Sequence, residues 1–488
     1  MLPNSLTELE QDIARDLQLI GYPEQQWVPP LLVEGQPVLD VLIVGAGQGG
    51  LAMAAQLIRE RVTNVRIIES RPVGQEGIWM DYARMHTLRT PKMIGGPDLG
   101  IPSLTFQAWF EVQHGAAAFV AMKYIPKDQW QSYLDWFRRI LSLPVQNDSR
   151  FMGVTPLPGH VGVLQASVEV NGQPSTILTR RLVLAAGIET SGQWWMPANI
   201  EALPPALRAH AADAIDFERL RGKRVAVIGA GASAFDNAAT ALEHGAAEVV
   251  VLCRRPDLQR VQPYKVLAYA GFLRNFGTLP DADRWRMMDY LLTVREALTS
   301  ETWARVTSYH NVSIVTGAPV DSATALDNGQ ARLSTPQGQF DVDFVICGTG
   351  FETDLASRPE LRNVAPLVAT WGERYAAPAG QANPRLGGFP YLDAGMAFTE
   401  KQPGAAPWVR HITCFNYGAQ VSFGPSGSSI SAMKFAVPRA AYAIAASLFG
   451  ADFALHEATI RAYDTPEFEL VYARDVQPAA AVTSAASV

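Results

Sequence analysis

Cysteine is scarce in this chain: only Cys253, Cys347 and Cys414 occur among 488 residues, and they lie far apart in the sequence. Three scattered cysteines cannot form a disulfide framework, and no C-x-x-C spacing is available for a redox pair or a zinc site. Free thiols in a reducing compartment are expected, with no metal. Long apolar runs are also missing. No stretch approaches the 18 uninterrupted apolar residues that a membrane-spanning helix needs. Nor is there a basic run interleaved with aromatics, and the formal charge of -7 disfavours nucleic acid or an anionic membrane as a partner. The first sixteen residues carry the acids Glu8, Glu10, Asp12 and Asp16, which suits neither a secretory nor an organellar signal. These absences together predict a cytoplasmic chain whose partners are small molecules. They leave its oligomeric state open.

What remains is a large apolar complement, 48% of residues, in a chain long enough for two or three domains. Leu6, Leu9, Ile13, Leu17 and Ile20 recur at helical steps and predict an amphipathic helix opening at Asn4 or Ser5. Its stripe suits a packing arm, with a partner-binding helix as the alternative. The prolines of GYPEQQWVPP end it. VLDVLIVG, a glycine turn, LAMAAQLIRERV and VRIIE then read as strand, turn, helix and strand. The same order returns in RVAVIGAG, ASAFDNAATALEHG and EVVVLCRR. Further strands are expected at RRLVLAAG and VDFVICGTG, and a helical stretch at RWRMMDYLLTVREALTSETWARV. ANPRLGGFPYLDAG reads as loops, SAMKFAVPRAAYAIAASLFG as a helix kinked at its proline, and QPAAAVTSAASV as a frayed tail.

Gly45, Gly47 and Gly50 in GAGQGG fit G-x-G-x-x-G between a strand and a helix. The first allows a tight turn, the second a close approach of backbone to pyrophosphate, and the third close helix–strand packing. The phosphate then meets free N–H groups at a helix N-terminus. Glu69 ends the following strand, where a carboxylate can accept from ribose hydroxyls. With the neighbouring Gln48, Ser70 and Arg71, these are the candidate residues for a first dinucleotide.

The second loop, GAGASA, supplies Gly229, Gly231 and Ser233, with Ala234 in the third small position. Where the first unit has its acid, this one has Cys253 followed by Arg254 and Arg255. Two guanidinium groups suit a 2′-phosphate, which a carboxylate would repel. A solvated strand end is the competing reading of the pair. One site with a ribose acid and one with arginines predict two different nucleotides, most economically FAD in the first and NADPH in the second.

With both loops in view, 184 residues apart, the chain resembles the class B flavoprotein monooxygenases. That group includes flavin-containing monooxygenases, Baeyer–Villiger enzymes and microbial N-hydroxylases. The resemblance spans roughly residues 38 to 435. Gly77 and Trp79 of GIW are similar to the family's segment beside the flavin. Gly187 of LAAG and Gly350 of GTGF are similar to its interdomain crossovers. His210 stands at the histidine of the family fingerprint, with Pro204 and Ala206 replacing its phenylalanine and glycine. That departure argues against Baeyer–Villiger chemistry. Arg89 falls on a position near the flavin, His86 on the N-hydroxylases' glutamine, and Lys92 within one residue of their substrate-contacting lysine. The alternatives are a flavin-phosphate contact for Arg89 and a solvated Lys92.

The resemblance implies an α/β fold of two Rossmann-like domains, the NADPH domain inserted in the FAD domain. Its expected boundaries are an N-terminal helical arm at 1–37, FAD domain at 38–190, NADPH domain at 191–340, and the rest of the FAD domain with C-terminal helices at 341–488. It also implies hydride transfer from NADPH to FAD, reaction with O₂ and insertion of one oxygen into a small substrate through an oxygenated flavin. An amine, a sulfide or a ketone is the candidate substrate. Two other readings stand: an NADPH oxidase releasing H₂O₂, and a flavin-bound regulatory protein without catalysis. A disulfide reductase is excluded by the missing cysteine pair.

Overall fold

Near-continuous burial along Gln36–Val44 marks a strand covered on both faces, the pattern of a parallel sheet clad in helices. The computed structural model describes residues 3, 5–20, 26–93, 95–425 and 429–469. In it Gln36–Val44 lies between Val65–Ile68 and Gln173–Leu184, parallel to both. Val145–Gln146 extends the sheet on one side. On the other, Leu164–Val170 and Ser149–Pro156 continue it as an antiparallel meander. The late strand Ile412–Cys414 pairs with the end of Gln173–Leu184, so residues from both ends of the chain share this sheet.

The second sheet is wholly parallel. Its order is Arg208–His210, Phe344–Cys347, Arg224–Ile228, Glu248–Cys253 and Val312–Thr316. The expected boundary at 341 therefore needs correcting: Phe344–Cys347 belongs inside this sheet. A run buried at Val345, Ile346 and Cys347 needs cover on both sides, and the second unit supplies it. Close contact enforces the placement, since a Cβ on Gly348 would lie 2.6 Å from the Ala234 Cα. The two segments that link the sheets pair with each other, Gly192–Trp194 running antiparallel to Phe351–Thr353.

Helix Leu6–Leu19 is capped by the Ser5 hydroxyl, which accepts from the Glu8 amide at 3.2 Å. Leu9 and Ile13 enter the main core, whereas Ile20 is exposed. Asn4, residues 21–25 of the GYPEQQWVPP stop and the QPAAAVTSAASV tail lie outside the described residues. The expected single helical stretch after residue 284 is two helices, Asp281–Val294 and Ser300–Thr307, broken where Arg295 adopts φ +69°. Helix Ile430–Ala451 carries Pro438 internally and packs against Gln48–Arg59. Among the described residues no helix is long and apolar enough to cross a membrane.

Candidate active site

The first glycine loop is shaped by contact as much as by torsion. Gly45 has φ +102°, and a Cβ there would lie 2.8 Å from the Ala186 Cα. A Cβ on Gly50 would sit 1.9 Å from the Gly45 carbonyl oxygen, so helix and strand meet only through glycine. Gly47 begins helix Gln48–Arg59 with no side-chain cap, leaving the opening amides for an anion. Gly77, at φ +74°, faces Gly47 across the cradle. Arg71 fixes that wall by donating to the Gly77 carbonyl and pairing with Asp81 at 2.8 Å. Glu69 is buried beside the turn and accepts from the Ala46 amide at 2.9 Å and the Arg71 amide at 3.0 Å. Gln48, Ser70 and Trp79 line the same space.

The second loop repeats the design. Gly229 has φ +136°, and a Cβ there would lie 2.4 Å from the Gly348 carbonyl oxygen. Gly231 begins helix Ala232–Glu243, again uncapped by a side chain. A Cβ on Gly231 would meet nothing within 4 Å. Protein packing thus makes no demand for glycine at that position, and the open space fits a pyrophosphate. Cys253 replaces the acid of the first unit. Its Sγ lies 3.6 Å from the Gly229 carbonyl oxygen, and burial pushes the thiol up to about 11, so it stays protonated.

The arginines that follow are not equivalent. Arg254 is exposed at the cleft and makes no ion pair or side-chain hydrogen bond within the described residues. Arg255 also lines the cleft, yet its guanidinium donates to the carbonyls of Thr293 at 2.5 Å and Val294 at 3.2 Å. The two guanidinium groups expected at the 2′-phosphate therefore differ, Arg254 open to the cleft and Arg255 engaged by the helix end. The C-terminal carbonyls of helix Asp281–Val294 attract a cation, and Arg255 answers them.

Both loops open into one cleft of about 1440 Å³, which Ser233, Gly187 and Gly350 also line. Tyr82, Trp194 and Phe351 form an aromatic wall: the Trp194 ring lies 5.6 Å from Tyr82 and 5.2 Å from Phe351, edge-on to both. Burial holds the Tyr82 phenol in its protonated form. Arg89 lines the cleft as expected, but its guanidinium pairs with Asp236 on the helix of the second loop. Asp236, only 3% exposed, also accepts from Thr302 Oγ1 at 3.2 Å and Arg305 at 3.3 Å. This buried carboxylate ties the Arg89 segment to the second unit.

Three expected catalytic residues do not reach the cleft. His86 pairs with Glu243 at 3.5 Å and is largely solvent-facing. Lys92 donates to the carbonyls of Phe119 and Val120, its Nζ 4.6 Å from the centre of the Phe119 ring. His210 ends a short strand. It packs behind Trp194 at 5.1 Å, burial holds its pKa below the ordinary histidine value, and its Nδ1 accepts from the Ala212 amide at 3.1 Å. A neutral, inward-packed imidazole supports the wall of the cleft from behind.

Comparison with known proteins bears directly on this cleft between the two glycine loops. An FAD-dependent urate hydroxylase of Xanthomonas campestris pv. campestris is 41% identical over 465 residues, 95% of this chain and 97% of that protein. The chain belongs to that hydroxylase's family. It is an FAD-dependent monooxygenase. Residues 42–269 match the family model described as pyridine nucleotide-disulphide oxidoreductase. The match covers both glycine loops, while all three cysteines here are buried and unpaired. The fold is shared with the Kutzneria sp. 744 ornithine N-hydroxylase, solved with reduced FAD, NADP+ and L-ornithine. The TM-score is 0.65 at 18% identity, covering 84% of this chain and all of that one. An L-lysine 6-monooxygenase from Pseudomonas syringae gives 0.65 at 20% identity, covering 84% of this chain and 99% of that one.

Sequence reasoning missed several residues that line the cleft. Asp236 had a usable signal, as a charged residue within the apolar face of ASAFDNAATAL. Arg295, Arg385, Tyr417 and Gln420 had none, because loops far apart in sequence bring them together.

Proposed function

We propose that this monooxygenase takes its electrons from NADPH and hydroxylates urate. The single continuous cleft carries the reading, because it serves both glycine loops in a chain aligned almost end to end with a urate hydroxylase. In balance, urate, O₂, NADPH and a proton give hydroxylated urate, NADP+ and water. FAD, when bound, would accept the hydride and activate O₂ for transfer of one oxygen atom. Gly45, Gly47 and Glu69, with the opening amides of Gln48–Arg59, would hold its pyrophosphate and ribose. Gly231, Ser233 and Arg254 would hold the nicotinamide nucleotide. Tyr82, Trp194 and Phe351 exclude water from the space between them. Arg89 has its charge neutralised by Asp236 and therefore positions the cleft wall.

The decisive test is NADPH and O₂ consumption by FAD-loaded protein, with and without urate. Urate should stimulate both, with one urate consumed per NADPH. Peroxide formation at a rate indifferent to urate would overturn the reading in favour of an oxidase.

A further inference from the structure

Arg295 stands in a backbone conformation that favours glycine. It ends helix Asp281–Val294 at φ +69°, its amide donating to the Leu291 carbonyl at 3.0 Å. Helices commonly end with glycine in this conformation, so an arginine here holds strain that its side chain must justify. That side chain lines the cleft and has no ion pair or hydrogen bond among the described residues. Gln420 also lines the cleft, with its Oε1 buried and without a donor among the described residues. Buried acceptors are nearly always satisfied, which points to an N–H supplied by a ligand. Tyr264 and Tyr417 complete the group. Burial pushes both phenols up, Arg295 draws each partly back, and both remain neutral donors with flat apolar faces. Tyr417 adjoins the first crossover through its amide, 3.5 Å from the Gly187 carbonyl oxygen.

We propose that Arg295, Gln420, Tyr264 and Tyr417 form the substrate subsite, built for a planar anionic ring bearing N–H donors. The guanidinium takes the ring's negative charge, the Gln420 carboxamide accepts a ring N–H, and the tyrosines flank the ring plane. Glu296, beside Arg295, offers a second acceptor for ring N–H groups. The second unit contributes Tyr264 and Arg295, and the first contributes Tyr417 and Gln420. The subsite is therefore complete only where the two nucleotide arms meet. Urate satisfies this chemistry, and the inference rests on the urate reading above.

The test is steady-state kinetics of FAD-loaded enzyme with urate and NADPH varied separately. Arg295→Gly is the informative variant, because glycine accepts the left-handed backbone and should fold at least as well as the parent. It should raise the urate KM at least tenfold, the loss expected for one charge-assisted contact, and shift the NADPH KM by less than twofold. Arg295→Lys should recover part of the loss, and Gln420→Ala should raise the urate KM alone. An unchanged urate KM in Arg295→Gly would overturn the subsite. So would an NADPH KM that rises equally, which would place Arg295 in the nucleotide site. Parent enzyme that fails to use urate removes the urate reading itself and the subsite with it. That outcome is distinguishable because it needs no variant.

Discussion

Single alanine substitutions at Arg254 and Arg255 separate the tasks of two adjacent cations. Arg254 is exposed at the cleft, so its loss should be felt by a nucleotide carrying a 2′-phosphate and hardly by one without it. One charge-assisted contact is worth about 1.5–3 kcal/mol, which predicts an NADPH KM raised about 10- to 150-fold with NADH little changed. Arg255 is occupied by the Thr293 and Val294 carbonyls at the end of helix Asp281–Val294. Arg255→Ala should leave nucleotide preference nearly intact and cost about 1–2 kcal/mol of stability through the lost helix-end cation and its hydrogen bonds. The assay is a full KM and kcat series with both nucleotides, beside urea titrations of the same preparations. The reasoning fails if Arg255→Ala raises the NADPH KM as strongly as Arg254→Ala while its urea midpoint stays at the parental value.

Gly47→Val should yield colourless protein, because a branched side chain would fill the cradle between Gly47 and Gly77; flavin absorbance per chain measures it. Asp236→Ala should cost about 3 kcal/mol in urea unfolding, because it leaves Arg89 uncompensated in a largely buried setting, whereas Arg305 keeps Glu243. His411 is pulled down to about 4, chiefly by burial and then by Arg181 and Arg410. The unfolded histidine, near 6.5, protonates first, so His411 withdraws stability as pH falls from 6.5 through about 4. Asp40, raised by burial to about 6, works in the opposite direction, adding stability as pH falls through its titration. The difference between parent and His411→Gln therefore isolates the histidine: the variant's advantage should grow below pH 6.5, and an advantage that does not change with pH would contradict it.

Both glycine loops were legible because local rules write them. A glycine that must turn, one that must admit phosphate and one that must let helix meet strand occupy fixed offsets in a single run. Arg254 and Arg255 were legible as cations but not as a divided pair. What divides them is the end of a helix about forty residues downstream. The strand that His210 ends was not legible, because PPALRAHAADAID lacks a strand's alternation and its pairing partner lies beyond residue 340. Lys92 and His86 came from a family pattern, which carries no information about the Phe119 carbonyl or Glu243 that hold them here. Arg295, Tyr417 and Gln420 could not be read at all, because only tertiary closure makes them neighbours.

The place of Phe344–Cys347 has a consequence for how the chain acquires its shape. The second nucleotide unit lacks its inner strand until residue 347 is available, although its glycine loop was made more than a hundred residues earlier. The first unit likewise waits for Ile412–Cys414. During synthesis, Arg224–Ile228 must hold an apolar, unpaired edge open on the side that Phe344–Cys347 later fills. Neither unit can mature alone, so a piece ending at 340 would expose that edge and aggregate. The intact chain should instead gain its two cofactor sites in one late, cooperative step.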